Sequence, residues 1–515
     1  MRTAPRLSKV LVANRGEIAL RVIRACQELG IKTVAVHSAA DAGAPHVREA
    51  DEAVLIGPAP SKESYLVGER IIDAARRTGA DAIHPGYGFL SEREWFARAV
   101  REAGLIWIGP PAEAIEAMGS KTAARQLAIS AGVPVVPGTT EGLRDAAEAA
   151  EIAKRYGYPV LLKAAAGGGG KGMRVVRSAA ELEGALSAAQ REARNAFGDD
   201  SVYVEKYIEG PRHVEIQILF DQHGTGLAIG ERECSVQRRH QKMIEEAPSV
   251  AVSPELRRRM GETAVAAGRA AGYVNAGTCE FLLDRDGNFY FLEMNTRIQV
   301  EHPVTELVTG LDLVQWQLRI AAGERLPFAN GTVFEPRGWA IECRITSEDP
   351  ANGFLPSTGR ISHLHLPSGP GVRWDGGIEL GSEVTLFYDP MLAKLIVHAP
   401  TRALAIERMH RALGELVIEG VETSREFHLR VMEHPDFVRG DISIQWLEQH
   451  LPELTTPPVP ARIETLAAVA AALVAEHERK VGRAAASSRA PAAGPSGPEA
   501  ADAWRIAARR DGLRS

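Results

Sequence analysis

The stretch from Cys279 to Glu301 carries residue types suited to metal and phosphate chemistry. Two apolar runs flank the sequence Asp284-Arg285-Asp286-Gly287-Asn288, which is typical of a β-hairpin. If Leu283 faces Tyr290, Glu280 lies directly opposite Glu293. Opposed carboxylates repel one another, so this pairing favours a cation between them.

The polar side chains after Glu293 extend this pattern. Alternation along a strand puts Glu293 and Asn295 on one face, and Arg297, Gln299 and Glu301 continue it if the chain stays extended. A solvated hairpin face is the alternative. Oxygen ligands without a nearby Cys or His suit a hard cation such as magnesium, completed by substrate phosphates. The stretch therefore predicts a nucleotide site.

Length and composition indicate an ordinary globular protein. The 515 residues predict roughly three domains, and 45% hydrophobic content with a formal charge of -6 gives no basic excess for nucleic acid or an anionic membrane. No apolar run could span a bilayer, and Met1 to Lys9 has no hydrophobic signal core. We expect a cytoplasmic protein. Its four cysteines are far apart, which favours reduced thiols.

The first hundred residues alternate strand-like and helix-like segments. A strand at Val10 to Ala13, a helix at Glu17 to Leu29 and a strand at Thr33 to Val36 form a βαβ pattern, which predicts a parallel sheet. The turn at Asn14 to Glu17 lacks the glycines of a dinucleotide fingerprint, so no NAD site is expected. His84 to Phe89 is either a ligand loop or a plain turn.

A glycine-rich loop joins the predicted strands Val160 to Lys163 and Met173 to Val176. Gly167 to Gly172 is not a P-loop, because Lys171 precedes Gly172 rather than Ser or Thr and no helix follows. Such a loop can close its backbone amides over phosphates, although glycine-rich linkers also look like this. We expect a flap that is mobile without nucleotide and ordered with it.

Other polar segments are less specific. Lys121 and Lys163 offer cations, although single lysines are usually solvated. Val202 to Ile208 reads as a strand leading out of the flap, whose backbone could contact an adenine edge. The dense polar stretch from Glu231 to Glu246 is compatible with a solvated helix face.

Together these segments resemble the biotin carboxylase family, the ATP-grasp subunit of biotin-dependent acyl-CoA carboxylases. The resemblance covers about Arg6 to Leu451, and its most specific motif is Glu293 to Pro303. The other matching segments are 13–19, 84–92, 167–173, 205–207, 211–215, 234–242, 342–345 and 388–391.

The resemblance implies a fold of α/β and α+β character. We expect a Rossmann-like N-terminal pre-ATP-grasp domain at 1–117 and an ATP-grasp domain at 118–330, with its mobile glycine-rich lid at about 135–208. A mainly β C-terminal domain at 337–451 and a helical, linker-like tail at 452–515 complete the chain. The tail includes an Ala-rich helix around Thr465 to Lys480.

The resemblance also implies roles for particular residues. Glu301 would be the general base, Arg344 would face the biotin ureido oxygen, and Lys242, Arg297, Gln299 and the Val300 backbone would hold bicarbonate. Glu280, Glu293 and Asn295 would hold magnesium or manganese. The ATP pocket would comprise Lys121, Lys163, Gly167, Gly168, Gly169, Gly170, Gly172, Met173, Glu205, Lys206, Ile208, His213, Gln237, His240 and Leu282.

Bicarbonate chemistry accounts for these residue types. Bicarbonate is a poor nucleophile whose proton must leave, so a carboxylate is needed as base. Glu301 beside Arg297 is expected to keep a low pKa and stay ionised. Charge that develops on the transferring phosphoryl group is stabilised by metal and lysines. A guanidinium at Arg344 suits the oxyanion of enolate-like biotin, because it keeps its charge.

The sequence contains no Met-Lys-Met triplet of the kind that carries biotin in this family. We therefore expect biotin on a separate biotin carboxyl carrier protein, with a carboxyltransferase subunit as a further partner and a homodimer as the assembly. This would be the first half-reaction of an acetyl- or propionyl-CoA-type carboxylase. Two alternatives remain open: another ATP-grasp ligase that activates a carboxylate, or a catalytically dead nucleotide-binding scaffold.

Overall fold

A computed structural model describes residues 7–139, 143, 145–164, 173–197, 200–456, 465–466 and 468–476. Of the side chains within helices, those of Lys121, Thr122, Ala146, Ala196 and Phe197 lie outside this description. The chain divides into two units, Met1–Thr455 and Thr456–Ser515. Within the described ranges, every helix is too short or too polar to cross a membrane.

The N-terminal region is a five-stranded parallel sheet with helices on both faces, as predicted. Alternate residues of its first strand enter two separate cores: Val10 and Val12 pack in one, Leu11 and Ala13 in the other. The elements are β1 (Lys9–Val12), α1 (Gly16–Glu28), β2 (Lys32–Ser38), α2 (Pro45–Glu49), β3 (Glu52–Gly57), α3 (Gly68–Thr78), β4 (Ala82–His84), α4 (Glu94–Glu102), β5 (Ile106–Trp107) and α5 (Ala112–Gly119). The strand order is β3-β2-β1-β4-β5.

The loop after β4 is a packed structural turn. Asn14 donates two hydrogen bonds of 2.7 Å to the carbonyls of Pro85 and Tyr87. Gly86 has a φ of 63°, and a Cβ there would lie 2.9 Å from the Asn14 amide nitrogen. Glycine is therefore required by both backbone conformation and space. This loop fastens the turn that follows β1.

A small antiparallel sheet forms the lid region. Its strands run in the order β7-β6-β8, and the two predicted strands that flank the glycine loop are both present. The elements are α6 (Lys121–Ser130), α7 (Ala146–Tyr156), β6 (Val160–Ala164), β7 (Met173–Val176), α8 (Ala179–Phe197) and β8 (Val202–Lys206). The glycine loop itself, 165–172, lies outside the described residues.

The centre of the first unit is an eight-stranded antiparallel sheet. Its first five strands and their helices are β9 (Arg212–Phe220), β10 (Gly226–Arg238), β11 (Gln241–Ala247), α9 (Pro254–Ala270), β12 (Asn275–Leu283), β13 (Phe289–Asn295), α10 (His302–Thr309) and α11 (Leu313–Ala321). Helix α9 begins at an N-cap, Ser253, and packs against β10 and β9. A core of apolar side chains from these elements holds the layer in place.

The C-terminal region is mainly β and shares this sheet. Its elements are β14 (Trp339–Thr346), β15 (Glu348–Asp349), β16 (Leu355–Pro356), β17 (Gly359–Arg360), β18 (His363–His365), β19 (Val372–Gly376), β20 (Glu383–Val384), β21 (Met391–Ala399), α12 (Arg402–Glu415), β22 (Val417–Glu419), α13 (Arg425–Glu433), α14 (Pro435–Arg439) and α15 (Trp446–Thr455). The full order is β13-β12-β9-β10-β11-β14-β21-β19. Because β11 pairs with β14, the central and C-terminal regions are hydrogen-bonded into one layer.

The second unit contains a helix. Residues 465–466 and 468–476 are helical, in agreement with the Ala-rich helix expected there from the sequence.

Candidate functional site

A cavity of about 580 Å³ opens between the lid sheet and the central sheet. Side chains from β6, β7 and β8 line one side, and those of β9 to β13 line the other. Sixteen of the residues singled out in the sequence line it: Lys163, Met173, Glu205, His213, Gln237, His240, Lys242, Glu280, Leu282, Glu293, Asn295, Arg297, Gln299, Val300, Glu301 and Arg344. The structure thus brings together residues that are far apart along the chain.

The β12–β13 hairpin confirms the predicted carboxylate pair. Glu280 lies opposite Glu293. The predicted register at the turn is wrong, however, because Leu283 pairs with Phe289 rather than Tyr290. A bulge between the two pairings absorbs one extra residue, Leu292, which is 38% exposed. The bulge lets the aromatic residues near the turn pack inward while the two acids still meet.

Glu280 receives polar contacts from four side chains. Its Oε1 accepts hydrogen bonds from Lys242, Asn295 and Gln299, each at 2.8 Å. Its Oε2 lies 2.9 Å from Nε2 of His213. Burial alone would raise the pKa of this carboxyl, but the charges of Lys242 and then of His213 lower it well below its usual value. Glu280 is therefore ionised.

Lys242 connects three buried carboxylates. Its ammonium group donates to Glu215, Glu280 and Glu301, with distances of 2.8 Å to Glu280 and 2.7 Å to Glu301. Burial would lower the pKa of Lys242, yet its three acidic neighbours, led by Glu215, raise it well above its usual value. The ammonium therefore stays charged near neutral pH, which suits an anion-binding group.

Glu301 lies at the N-terminus of α10 between two cations. Lys242 contacts its Oε1, and Arg344 donates to its Oε2 at 2.9 Å. Burial opposes ionisation of Glu301, but Lys242, then Arg344, then Arg232 lower its pKa. The prediction of a low pKa is confirmed. Arg297, the neighbour expected to be responsible, interacts with Glu301 electrostatically, but the cations that contact Glu301 are Lys242 and Arg344.

Arg297 contacts a different acid. Its Nε lies 2.9 Å from Glu92, which comes from the N-terminal region, and its other guanidinium nitrogens donate to Asn295 at 3.0 Å and to the Ile298 carbonyl. The strand ends at Asn295, so the extended conformation expected as far as Glu301 does not occur. An irregular segment instead carries Arg297, Gln299 and Glu301 to the cavity.

Arg344 is held by residues from both sides of β14. Its guanidinium donates to Glu245 at 2.7 Å as well as to Glu301. Its backbone carbonyl accepts from Ser424 at 3.0 Å and from His428 of α13 at 2.7 Å. These contacts fix both the main chain and the head group, so the arginine is positioned before any substrate arrives.

The acids around Arg344 have pKa values pushed in opposite directions. Burial raises the pKa of Glu245 to about 7, and it raises that of Glu342 well above its usual value. Neither carboxylate oxygen of Glu342 has a hydrogen-bond partner among the described residues. Ionised Glu301 thus lies beside acids that hold protons more strongly, an arrangement typical of acid–base sites.

The polar stretch from Glu231 to Glu246 is a buried hairpin, so its interpretation as a solvated helix face was wrong. It forms β10 and β11, joined by a tight turn at Arg239 and His240. Both turn residues have positive φ, 48° and 65°, as a two-residue hairpin requires. The usual Asn-Gly signal for such a turn is missing, which explains the error. The hairpin brings Gln237, His240 and Lys242 to the cavity.

The lid side of the cavity carries a second ionic cluster. Lys163 on β6 and Arg125 on α6 both contact Glu205 on β8, the arginine at 3.2 Å. Arg125 also donates to the Val136 carbonyl at 2.6 Å. Glu205 thereby holds two cations at the mouth of the cavity, where phosphate groups could bind.

Some predicted residues are not placed at the cavity. The Lys206 ammonium donates to the Gly157 carbonyl at 2.8 Å, and neither Lys206 nor Ile208 is among the lining residues. The side chain of Lys121 and the loop residues Gly167, Gly168, Gly169, Gly170 and Gly172 lie outside the described residues.

The donor set of Glu280, Glu293 and Asn295 fits a hard cation. Two carboxylates face each other across the hairpin, and Asn295 lies beside them, with its amide nitrogen donating to Glu280 at 2.8 Å and its Oδ1 accepting from Arg297. Oxygen ligands of this kind suit magnesium or manganese, with phosphate oxygens completing the shell. A cation here would exchange with the donors that now contact Glu280.

Comparison with known proteins decides the family. Models of the biotin carboxylase N-terminal domain, of the carbamoyl-phosphate synthase L chain ATP-binding domain and of the biotin carboxylase C-terminal domain match residues 6–115, 120–329 and 342–449. The biotin carboxylase of Haemophilus influenzae is 54% identical, with 86% of this chain and 99% of that protein covered. The chain belongs to the biotin carboxylase family.

A longer relative and a solved structure agree with this. The propionyl-CoA carboxylase alpha chain of Ruegeria pomeroyi is 48% identical over 92% of this chain and 75% of that protein. The biotin carboxylase domain dimer of Hydrogenobacter thermophilus 2-oxoglutarate carboxylase, solved with MgADP, ADP and bicarbonate, is 49% identical and has a TM-score of 0.81. It covers 88% of this chain and 99% of that one. As a biotin carboxylase, the chain is an ATP-dependent ligase.

Sequence reasoning missed two residues that support or line this biotin carboxylase site. Arg232 is fully buried and donates to Glu215, Gln217, Thr278, Gln299 and Thr305. The sequence could have indicated that Arg232 is buried only if β10 had first been recognised as a long strand with alternating side chains. Ile444 also lines the cavity, and nothing local to it indicates this.

Proposed function

We propose that this chain catalyses the ATP-dependent carboxylation of biotin on a biotin carboxyl carrier protein, with bicarbonate as the carbon source. One observation carries the proposal. Lys242 and Arg344 converge on the same buried carboxylate, Glu301, in the cavity that also holds the opposed pair Glu280 and Glu293. An ionised base, two fixed cations and a metal-type acid pair are the groups that phosphoryl transfer to bicarbonate requires.

ATP would occupy the cavity between the lid and the central sheet. Lys163 and Lys121 would contact phosphates, and the glycine loop Gly167 to Gly172 would close over them. Glu205, Lys206, Ile208, Met173, His213, Gln237, His240 and Leu282 would surround the nucleotide. Magnesium held by Glu280, Glu293 and Asn295 would supply positive charge against the phosphate oxygens. Carboxylates and a lysine occur on both walls of the cavity, the lid sheet and the central sheet, which supports this placement of ATP and magnesium.

Bicarbonate would lie against Lys242, Arg297, Gln299 and the Val300 backbone. Its oxygen attacks the γ-phosphorus of ATP, the bond from that phosphorus to the bridging oxygen of ADP breaks, and Glu301 accepts the bicarbonate proton. Carboxyphosphate and ADP result. The bicarbonate ion also draws Lys242 away from Glu301, which raises the pKa of the base towards the range where it can accept a proton.

Biotin would be carboxylated beside Arg344. Carboxyphosphate breaks down to carbon dioxide and phosphate, and the phosphate takes the proton from the ureido nitrogen. Arg344 stabilises the oxyanion of the resulting enolate-like biotin, whose nitrogen attacks carbon dioxide. The contacts of Arg344 with Glu301 and Glu245 place its charge within the same cavity.

Similarity to subunits of biotin-dependent carboxylases supports a wider assembly. The chain forms part of a biotin-dependent carboxylase. The partners would be a separate biotin carboxyl carrier protein and a carboxyltransferase subunit, and the chain itself would form a homodimer. We divide the chain into an N-terminal domain at 1–117, an ATP-grasp domain at 118–330, a C-terminal domain at 337–451 and a tail at 452–515.

One assay tests the function. ATP hydrolysis should depend on bicarbonate, and free biotin or a biotinylated carrier should yield a carboxylated product. Hydrolysis dependent on another carboxylate substrate would indicate a different ATP-grasp ligase. Nucleotide binding without hydrolysis under any of these conditions would indicate a scaffold.

A further inference from the structure

A second cluster of metal-type ligands lies in the C-terminal region, away from the cavity. His434 stands between α13 and α14, Asp436 is in α14, and His450 is in α15. One ligand atom from each of these three residues lies within 4.8 Å of the others. None of the three lines the cavity, and the mechanism proposed above does not use them.

Glu453 fixes the proton positions on both imidazole rings. Its Oε1 lies 3.2 Å from Nε2 of His434 and also contacts Nδ1 of His450. A carboxylate only accepts hydrogen bonds, so both of these ring nitrogens carry the proton. In the neutral rings the remaining nitrogens, Nδ1 of His434 and Nε2 of His450, are then bare acceptors.

Both bare nitrogens face Asp436. Its Oδ2 lies 3.9 Å from Nδ1 of His434 and 3.4 Å from Nε2 of His450. Two ring nitrogens and an anionic oxygen therefore lie close together. Nδ1 of His434 also accepts a hydrogen bond of 3.2 Å from the Asp436 backbone. Neutral His450, with its proton on Nδ1, has no proton to share with Oδ2 of Asp436. A cation between them removes this repulsion.

The surroundings match those of a metal site. Trp446 donates its indole N–H to Oδ2 of Asp436 at 3.2 Å, and its ring packs against both histidines. Arg439 contacts the other oxygen, Oδ1, so Oδ2 remains directed at the rings. A histidine that binds a metal through one ring nitrogen commonly donates its other N–H to a carboxylate, which orients the ring. Glu453 is placed to do this for both histidines.

We infer that His434, Asp436 and His450 bind a divalent transition-metal ion, with zinc as the best fit. Two imidazoles and a carboxylate suit zinc, whose ligands lie at about 2.0–2.2 Å. In a tetrahedral shell this places ligand atoms about 3.3–3.4 Å apart, close to the separation of Asp436 and His450. Nδ1 of His434, now 3.9 Å from Oδ2 of Asp436, needs to move closer and to exchange its backbone hydrogen bond for the metal. Solvent completes the shell, because the cluster is partly exposed.

The ion would join the two ends of the stretch from Asp436 to His450. Between Asp436 and His450 lies Ile444, which lines the cavity and donates its backbone N–H to the Pro211 carbonyl at 3.0 Å. Zinc would therefore fix both ends of the segment that supports one wall of the cavity. It would raise the thermal unfolding midpoint, since an ion that binds only the folded state stabilises it.

The test compares zinc binding by the full chain and its His450→Gln variant. Metal-stripped protein is loaded with zinc near neutral pH, passed through a desalting column and analysed for bound zinc. The wild type should retain one more equivalent than His450→Gln and should show a zinc-dependent rise in Tm that the variant lacks. Zinc held elsewhere, including by the acids of the cavity, cancels in this difference.

Two further variants provide a control and an independent test of the zinc site. His410→Gln is the matched control, because His410 pairs with one acid, Glu433, and should bind zinc as the wild type does. Glu453→Gln alters an exposed side chain and should weaken zinc about 10- to 100-fold in a competition with a chromophoric chelator. Equal zinc in the wild type and His450→Gln, or unchanged affinity in Glu453→Gln, would overturn the inference and leave a proton bridging Asp436 and His450 as the explanation.

Discussion

Glu301 is a buried acid kept ionised by two fixed cations, and this determines what its replacement should do. Glu301→Gln keeps the shape and an oxygen acceptor for Lys242 or Arg344 while removing the proton acceptor. We expect carboxylation to slow by about two to four orders of magnitude with nucleotide affinity retained. A radioactive bicarbonate assay measures this. Glu262→Gln, in a surface pair with Arg258, is the matched control; survival of activity within a factor of a few would show that another group is the base.

Arg344 separates formation of carboxyphosphate from its capture. Arg344→Ala should retain some bicarbonate-dependent ATP cleavage and greatly reduce carboxybiotin. Arg344→Lys keeps the charge against Glu245 and Glu301 but loses the paired geometry of a guanidinium, so it should retain more ATP cleavage than the alanine variant. Measuring phosphate release and carboxybiotin in parallel tests this. If both activities fall together in both variants, the arginine holds the site together instead.

Glu245 predicts a pH dependence of stability. Burial raises its pKa to about 7 in the folded state, above the unfolded value near 4.3. The folded protein therefore binds the extra proton between these values, and the stability contributed by this proton is lost as pH rises through about 7. Glu245→Gln should match the wild type near pH 4, below the unfolded pKa, and should gain relative stability progressively as pH rises towards 8. Thermal unfolding at several pH values gives this difference, and a constant difference across the range would refute it.

At the scale of single residues, the sequence could predict which residue types form the site but not all of their contact partners. The opposition of Glu280 and Glu293 follows from alternation in a hairpin, which is local. The neighbours of Glu301 are not local: Lys242 comes from β11 and Arg344 from β14. Arg297 is four residues away in sequence, yet its nearest acid is Glu92 of the N-terminal region.

Among the elements, the central strands are joined to the active-site segment through one buried arginine. Arg232 on β10 contacts β9 through Glu215 and Gln217, β12 through Thr278, and the segment before α10 through Gln299. Arg232→Met should cost about 3–5 kcal/mol in the free energy of unfolding, because it breaks the buried ion pair with Glu215 and leaves the other buried acceptors of Arg232 without their donor. Denaturant unfolding measures this.

A surface pair provides the control for that change. Arg258→Met breaks an exposed pair and should cost about 0–1 kcal/mol. Equal effects of the two substitutions would mean that Arg232 contributes no more than a surface arginine does.

The elements themselves show why some were predictable. The βαβ pattern at the N-terminus is clear because β-branched runs alternate with an amphipathic helix. The β10–β11 hairpin was not recognised, because Arg239 and His240 occupy a turn that usually selects glycine, and because its charged residues are buried through mutual pairing. Burial by pairing has no periodicity that a single sequence displays.

On the scale of the whole first unit, the sheet is continuous across the central and C-terminal regions. Strand β11 pairs with β14, and β14 supplies Arg344. A chain ending at residue 336 would leave β11 as an open edge and lack Arg344, so we expect aggregation and no carboxylation. A chain ending at Thr456 keeps every described residue of the site and should retain activity. Soluble yield and carboxylation assays of both chains test this. Carboxylation by the chain that ends at residue 336 would contradict it.

The three contacts of Lys242 make anion binding an exchange reaction. Glu215, Glu280 and Glu301 already act as anionic ligands of this ammonium. An incoming bicarbonate must compete with the protein's own carboxylates, so its affinity reflects a difference between two sets of ion pairs and should be modest. The same competition keeps the site ordered when it is empty of substrate. Because both sets are buried, added salt should weaken bicarbonate binding far less than it weakens binding at an exposed cationic surface.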